Sequence, residues 1–245
     1  MHPRSVIVTR PEPGLSETMA AVADAGWLPL ASPALVVQRH TLHLPQKLPA
    51  AILLTSGQAV SAVSAVVAAA QPAKALDIPV YAVGDRTAQR ARDAGFTHVK
   101  SADGDARALV SLLQIHQQPE RGSLLLCSGA GQGVELAAWC RQAGFKVVRR
   151  VVYAAKPIQQ INAQTCTAIQ AAKVAVVLFF SAESAAGWFA ALPEAEQKLL
   201  AAQASAVVIS GRVAQVLRAA GWQNIRVAKH VSAAAVMEAL GPYHA

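Results

Sequence analysis

A chain of 245 residues is long enough for one large domain or two small ones, each with its own hydrophobic core. Hydrophobic residues make up 53% of the sequence and charged residues 15%, which excludes a disordered chain. The formal net charge of +8 favours anionic partners, but the basic residues are dispersed and rarely neighbour aromatic ones. The sequence therefore predicts a small polycarboxylate or phosphorylated ligand, and no nucleic acid.

Taken in chain order, short β-rich runs alternate with helical stretches. The runs that predict strands are residues 6–8, 51–54, 80–83, 124–126, 146–153, 174–180 and 207–209. Between them, apolar residues recur at helical spacing, as Val213, Val216, Leu217 and Ala220 do. This alternation predicts an α/β fold of parallel sheets flanked by helices.

Cysteine usage and apolar run lengths indicate where such a protein works. The three cysteines are an odd number without C-x-x-C spacing, so neither a disulfide framework nor a zinc site is predicted. The first residues offer only three consecutive apolar positions, which is too short for a signal peptide. The longest apolar runs, near residues 65–70 and 174–180, are far shorter than a membrane span. We therefore expect a cytoplasmic protein without a membrane segment. Nothing in the sequence predicts an oligomer, so a monomer is expected.

One local motif appears four times and ends a helical stretch each time. Its copies are Ala25-Gly26-Trp27, Ala94-Gly95-Phe96, Ala143-Gly144-Phe145 and Ala220-Gly221-Trp222. Glycine adopts the left-handed conformation that ends a helix, and the following aromatic residue packs back on the last turn. The motif is predicted to be structural, and its repetition points to a duplication.

The duplication extends beyond that motif. Residues 83–96 align without a gap with residues 209–222, at an offset of 209 − 83 = 126. Residues 51–56 align with residues 176–181 at an offset of 181 − 56 = 125, and residues 6–26 correspond loosely to 124–144. Two related α/β halves are therefore predicted, with the cleft between them as the default ligand site.

The loops that follow the predicted strands supply the candidate binding residues. Ligands of open parallel sheets bind beyond the carboxyl ends of the strands, where helix N-termini and their free amides hold anions. The candidates in these loops are Arg10, Thr55, Ser56, Gly84, Arg86, Thr87, Ser128, Gly129, Ser181, Ala182, Gly211 and Arg212. The alternative is that Ser56, Thr87 and Ser181 are only helix caps.

Other site chemistries find less support in the sequence. In residues 128–133 the third glycine of a dinucleotide fingerprint would fall at Val134, and no acidic residue ends the next strand, although Arg149 or Arg150 could hold a 2′-phosphate. His40 and His43 lie three residues apart without a second cluster of ligands, so no metal is predicted. No nucleophile–base motif or carboxylate pair stands out. If chemistry occurs, a tyrosine, serine or threonine must donate the proton.

In order along the chain, several short motifs resemble the uroporphyrinogen-III synthase family. They are Val-Thr-Arg-Pro at 8–11, Thr-Ser-x-x-Ala-Val at 55–60, Val-Gly-x-x-Thr-Ala at 83–88, Val-Tyr at 152–153 and Phe-Phe-Ser at 179–181. Each motif alone is weak, but their order and spacing cover essentially the whole chain. The resemblance implies a discontinuous lobe of residues 1–35 and 157–245, a second lobe of residues 41–149, and connector strands at 33–40 and 149–156.

The resemblance also implies an activity. Such an enzyme is a cyclising lyase that closes hydroxymethylbilane, a linear tetrapyrrole with eight carboxylates, to uroporphyrinogen III, with loss of water and inversion of the terminal ring. It needs no cofactor and no metal. By position in the motifs, Tyr153 corresponds to the proton donor, and Thr87 binds a carboxylate or the leaving oxygen.

Two departures from the family pattern keep alternatives open. The second copy has Val213 where the family has threonine, and residues 126–129 lack a basic residue. Arg10, Arg86 and Arg212 could compensate through charge-assisted hydrogen bonds. The alternatives are a two-lobed cytosolic binding protein for an anionic metabolite and a synthase paralogue that has lost catalysis.

Overall fold

The computed structural model describes residues 4–12, 14–42, 47–70 and 76–243. The chain divides into two compact units, the first formed by residues 1–37 with 156–245 and the second by residues 38–155. Each unit is built on its own sheet, one of five strands and one of six. We refer to them as the five-stranded unit and the six-stranded unit.

The five-stranded unit contains an all-parallel sheet with the order β11-β10-β9-β1-β2. Its strands are β1 (Ser5–Val8), β2 (Leu28–Ala31), β9 (Val174–Phe179), β10 (Ser205–Val208) and β11 (Ile225–Val227). Its helices are α1 (Gly14–Asp24), α6 (Ala163–Gln170), α7 (Ala182–Ala190), α8 (Glu194–Gln203), α9 (Gly211–Ala219) and α10 (Ala233–Leu240).

Both faces of this sheet are buried, which explains why its central strands are nearly continuous apolar runs rich in valine. Alternate residues point to opposite faces. Ile7 and Phe179 pack on one side with Trp188 and Trp222, and Val6 packs on the other side with residues of α1 and α10.

The six-stranded unit contains a sheet with the order β3-β8-β7-β4-β5-β6. Its strands are β3 (Leu35–Arg39), β4 (Ala51–Leu54), β5 (Val80–Ala82), β6 (Val99–Ser101), β7 (Leu124–Gly129) and β8 (Val147–Pro157). Its helices are α2 (Gly57–Ala70), α3 (Asp85–Asp93), α4 (Ala106–His116) and α5 (Val134–Gln142), with a 3₁₀ turn at Pro119–Arg121.

Five strands of this sheet are parallel, and β3 runs antiparallel to β8. The amide of His40 donates to the carbonyl of Val152 at 2.9 Å, and the amide of Ile158 donates to the carbonyl of Ala34 at 3.1 Å. The opposed order of these two pairs defines the antiparallel direction. The chain passes from one unit to the other within β3 and within β8.

The prediction of two similar halves, each a parallel sheet flanked by helices, is confirmed. Strands β4, β5, β6, β7 and β8 occupy the same order in their sheet as β9, β10, β11, β1 and β2 in theirs. The repeated glycine motif also ends a helix in each of its four copies. The glycine φ values lie between 83° and 96°, and each following aromatic amide donates to the carbonyl five residues earlier.

The strands that sequence periodicity missed are short and near sheet edges. They are β2, β3, β6 and β11, of which β6 and β11 have three residues each, and β3 was expected only from the family resemblance. Their residues are largely exposed or half-buried, so they lack the apolar runs that mark the central strands.

The described residues carry neither a membrane-spanning helix nor a cluster of metal ligands. Within these ranges no helix has the length and apolar character needed to span a membrane. The same residues contain no group of three or more His, Cys, Asp or Glu side chains placed to hold a metal ion. His40 is exposed, and His43 lies outside the described residues.

Candidate active site at the carboxyl edge of each sheet

Each sheet has a switch point where the chain changes direction. In the six-stranded unit the chain proceeds from β4 outward through β5 to β6 and then returns to place β7 on the other side of β4. Right-handed crossovers put the helices that follow β4 and β7 on opposite faces. The loops after these two strands therefore diverge and leave a crevice, which is where ligands of such sheets bind. In the five-stranded unit the same point lies between β1 and β9.

The candidate residues of the six-stranded unit follow neighbouring strands. Tyr153 lies on β8 opposite Gly129, the last residue of β7. Ser128 and Gly129 end β7, and Thr55 and Ser56 follow β4. Gly84, Arg86 and Thr87 follow β5. The structure thus gathers these eight residues at the carboxyl edge of four consecutive strands.

Tyr153 is held against the β7 loop with its hydroxyl at the edge. The residue is 5% exposed, and its Oη donates to Oε1 of Gln132 at 2.9 Å. Gly129 makes this position possible, since a Cβ there would lie 2.7 Å from Cζ of Tyr153 and 2.9 Å from Oε1 of Gln132. A phenol packed in this way has a defined position from which to donate a proton.

The loop that follows β7 is organised around one backbone carbonyl. The carbonyl of Gln132 accepts from Oγ of Ser128 at 2.9 Å and from Nε of Arg149 at 3.0 Å. Gly133 has a φ of 76°, and a Cβ there would lie 2.9 Å from Cβ of Ser128. Ser128 is fully buried, so its hydroxyl shapes the loop and leaves Gln132 exposed above it.

The residues after β4 are engaged at the start of α2. Oγ of Ser56 accepts from the amide of Gln58 at 3.2 Å, so Ser56 caps the helix. Oγ1 of Thr55 is buried and has no hydrogen-bond partner within the described part of the chain. The Thr55 hydroxyl is therefore out of contact with solvent in this conformation.

The helix after β5 begins without a side-chain cap. Its N-cap residue is Gly84, which has no side chain to accept a hydrogen bond from the helix amides. A Cβ at this position would meet no atom within 4 Å. Thr87 lies in the first helical turn and its amide donates to the carbonyl of Gly84 at 3.1 Å. The alternative that Thr87 is a helix cap is therefore wrong. Asp85 places a negative charge in this first turn.

In the five-stranded unit, Arg10 lies at the switch point. Oγ1 of Thr9 donates to the carbonyl of Leu178 at 2.7 Å and ties the end of β1 to β9. The Arg10 guanidinium lies 4.6 Å from the ring centroid of Phe180, and its Nη1 donates to Oγ1 of Thr18 at 3.2 Å. Stacking and hydrogen bonding together hold a half-buried cation at the edge of this sheet.

The remaining candidates follow β9, which neighbours β1, and β10, which neighbours β9. Oγ of Ser181 accepts from the amide of Ser184 at 3.1 Å, so Ser181 caps α7, and Ala182 begins that helix. Gly211 and Arg212 are exposed in the first turn of α9. Val213 is 1% exposed and belongs to the hydrophobic core. The structure therefore places Arg10, Ser181, Ala182, Gly211 and Arg212 along three consecutive strands.

The thiol nearest the candidate site is not a nucleophile. Cys127 lies on β7 directly before Ser128 and is fully buried. Burial raises its pKa to about 12, although the charge of Arg150 acts in the opposite direction. The thiol is therefore protonated at neutral pH, and thiolate chemistry at this edge is disfavoured.

Sequence reasoning missed Gln132 and Phe180. Gln132 lies within the glycine-rich run that resembles a dinucleotide fingerprint, so the spacing of Gly129, Gly131 and Gly133 was the available signal. Phe180 directly follows β9, and its contact with Arg10 joins residues far apart in sequence.

Comparison with known proteins adds independent information. The model of the family described as uroporphyrinogen-III synthase HemD matches residues 16–238. The crystal structure of uroporphyrinogen-III synthetase from Helicobacter pylori has 19% identity and a TM-score of 0.60, covering 96% of this chain and 97% of that chain. A wild-type uroporphyrinogen III synthase from Thermus thermophilus has 18% identity and a TM-score of 0.43, with 96% of each chain covered. No curated protein matches the chain.

Proposed function

Because the chain belongs to the uroporphyrinogen-III synthase family, we propose that it closes hydroxymethylbilane to uroporphyrinogen III. The reaction is a cyclisation in which water is lost and the terminal pyrrole ring is inverted. The observation that carries this proposal is the family match, which spans residues 16–238 of the 245. The fold likeness to a solved synthetase supports the same architecture.

Tyr153 is the proposed proton donor. Its hydroxyl lies at the carboxyl edge of the six-stranded sheet, and Gly129 leaves room for the ring. Donation of the phenol proton to the terminal hydroxyl lets the C–O bond break and water depart. General acid assistance of this kind accelerates a step by about 10²–10⁴-fold.

The pyrrole itself supplies the rest of the driving force. The nitrogen lone pair of the pyrrole that carries the hydroxymethyl group expels the protonated hydroxyl and leaves a conjugated cation. The substituted carbon of the pyrrole at the other end of the chain then attacks this cation and forms a spiro intermediate. The intermediate rearranges and closes with the attacking ring inverted. The proton lost as the pyrrole regains aromaticity can return to the phenolate, so no external oxidant, reductant, metal or cofactor enters the balance.

The carboxylates of the substrate are the proposed ligands of the strand-end loops. Arg10 and Arg212 in the five-stranded unit, and Arg86 in the six-stranded unit, supply charge. Gly84, the N-cap of α3, and Gly211, the first residue of α9, both have open space where a side chain would lie, which lets an anion approach the first amides of these helices. Thr87 is proposed to contact a carboxylate or the leaving oxygen.

The working state of the protein is also a proposal. We expect a cytoplasmic monomer that binds no nucleic acid. The net charge of +8 is distributed among dispersed residues, which suits a polyanionic metabolite better than a nucleic-acid backbone. Sedimentation of the purified protein checks the monomer.

Isomer analysis of the product tests the function directly. Purified protein is mixed with freshly prepared hydroxymethylbilane, and the uroporphyrin isomers are separated after oxidation. The type III isomer is expected to predominate. Type I alone is the product of unaided closure and would refute catalysis. Ligand protection without turnover would then favour a binding protein, and tetrapyrrole binding without a change in isomer ratio would favour a degenerate paralogue.

A further inference from the structure

Gln132 is the one exposed polar side chain that contacts the Tyr153 hydroxyl within the described residues. Its Oε1 accepts the phenol proton at 2.9 Å. Tyr153 is nearly buried whereas Gln132 is exposed, so the amide of Gln132 links the phenol hydroxyl to the surface of the protein. A group in that position controls which way the phenol proton points.

The backbone and the side chain of Gln132 have separate roles. Its carbonyl accepts from Ser128 and Arg149, and these bonds shape the loop together with the positive φ angles of Gly131 and Gly133. The side chain forms none of these bonds. Its removal therefore leaves the loop conformation supported, and a functional effect of the side chain can be separated from a folding effect.

The chemistry of an amide permits two arrangements with a phenol. With Oε1 toward Tyr153, the amide accepts the proton and directs it away from any ligand. Rotation of the amide by half a turn places Nε2 there instead, and Nε2 donates to Oη. The phenol proton then becomes available to a ligand oxygen, and the donated hydrogen bond stabilises the phenolate as the proton leaves.

We propose that Gln132 is a positioning residue for Tyr153, and that its amide rotates from accepting to donating when the substrate hydroxyl arrives. This inference rests on the proposed function, since it requires Tyr153 to act as the acid. The transferred proton passes from Oη to the leaving oxygen, the C–O bond breaks and water departs. Nε2 of Gln132 contacts the resulting phenolate until the ring-closure proton returns.

Substitution of the side chain tests the proposal. Gln132→Met keeps the length and removes both hydrogen-bond functions, and it should lower kcat about three- to tenfold with little change in KM. Gln132→Glu can accept but not donate, and its charge opposes a phenolate, so a larger loss than that of Gln132→Met is expected. Gln142→Met, at the exposed end of α5, is the matched control and should leave kcat unchanged.

A double-mutant cycle separates positioning from general disturbance. In a Tyr153→Phe background, Gln132→Met should change kcat less than about twofold, because the group it positions is already absent. Equal losses in both backgrounds, or an effect confined to KM, would overturn the proposal. So would a Gln132→Glu variant as active as the unmodified enzyme.

A readout without turnover distinguishes failure of this inference from failure of the proposed function. The side-chain amide resonances of Gln132 should shift on Tyr153→Phe in the NMR spectrum of the protein, and those of Gln142 should not. Unshifted Gln132 resonances refute the contact itself. A product of only type I from the unmodified protein refutes the synthase activity, and the amide resonances still decide whether the two residues are paired.

Discussion

The two units share one strand order but present different chemistry at the same edge. In the six-stranded unit, the strand next to the switch point carries Tyr153, and the loop after β7 presents the neutral amide of Gln132. In the five-stranded unit, the loop after β1 presents Arg10, stacked on Phe180. The duplicated scaffold thus places a tyrosine hydroxyl, the proposed proton donor, in one copy and an arginine held by stacking in the other.

A second pair of equivalent positions shows the same divergence. Thr87 is the third residue of α3, which follows β5, and Val213 is the third residue of α9, which follows the equivalent strand β10. Thr87 is half-buried near Asp85, whereas Val213 is 1% exposed in the core and is preceded by Arg212. Duplication therefore conserves where a loop lies, and the residues within the loop decide whether it offers a hydroxyl, a charge or only packing.

The largest effect is expected from crowding Tyr153. Gly129→Ala places a Cβ 2.7 Å from Cζ of Tyr153, which forces the ring out of position. We expect kcat to fall about 100-fold, more than for loss of the hydroxyl alone, because the same Cβ would also lie 2.9 Å from Oε1 of Gln132 and displace both side chains. The effect on stability should be smaller. Steady-state kinetics and thermal unfolding measure both. Gly187→Ala, where the nearest atom is 4.0 Å away, is the control, and unchanged kcat for Gly129→Ala would contradict the assigned position of the ring.

Removal of the hydroxyl alone should have the next largest effect. Tyr153→Phe keeps the ring and removes the proton donor, so kcat should fall about tenfold or more. Rapid-quench measurement of type III product formation gives the rate. Wild-type turnover in a variant that folds normally would eliminate Tyr153 as the acid. The carboxyl edge of the six-stranded sheet would then have no proposed proton donor.

The cation of the five-stranded unit should act on binding. Arg10→Gln removes a charge that can bind a carboxylate, so KM should rise about five- to tenfold while kcat changes little. The increase should shrink at high salt, because salt screens the charge in the unmodified enzyme. Arg218→Gln, exposed at the end of α9, is the control. A loss in kcat with unchanged KM would place Arg10 among the groups that act in the chemical step.

Exchange of the third helical residue tests the divergence of the two copies. Thr87→Val should lower kcat/KM about threefold, the value of one neutral hydrogen bond. Val213→Thr buries a hydroxyl in the core and should lower the free energy of unfolding by about 1 kcal/mol without improving activity. Denaturant unfolding and kinetics on both variants provide the measurements. Improved activity of Val213→Thr would show that both copies use this position for the substrate.

The smallest effect concerns alkaline stability of the six-stranded unit. Burial raises the pKa of Cys127 from 9.0 to about 12, so the folded state retains a proton that the unfolded state loses. The associated stability is complete below pH 9 and declines as pH rises toward 12. Between pH 7.5 and pH 10 the loss is about 1 kcal/mol, measured by urea unfolding. Cys127→Ala should show a shallower decline, and an unchanged slope would assign the effect to other groups.

The central part of the fold was predictable because its signals are local. The buried strands β4, β7 and β9 are continuous apolar runs, and the glycine–aromatic motif has a geometry that few other sequences satisfy. Strand-end loops could be located for the same reason, which is why Arg10 was identified, whereas Tyr153 was identified only through the resemblance of Val-Tyr at 152–153 to the family motif. Strand β11 could not, because three largely exposed residues at an edge carry no apolar period.

The α/β class, the duplication and the residues at the strand ends could all be inferred from the amino-acid sequence, since each depends on patterns a few residues long or on direct repetition. Which of those residues are in contact depends on tertiary packing. The contact of Tyr153 with Gln132 and that of Arg10 with Phe180 join segments 21 and 170 residues apart (180 − 10 = 170). Such contacts depend on strand order, register and the space left by a glycine, and these are properties of the packed sheet.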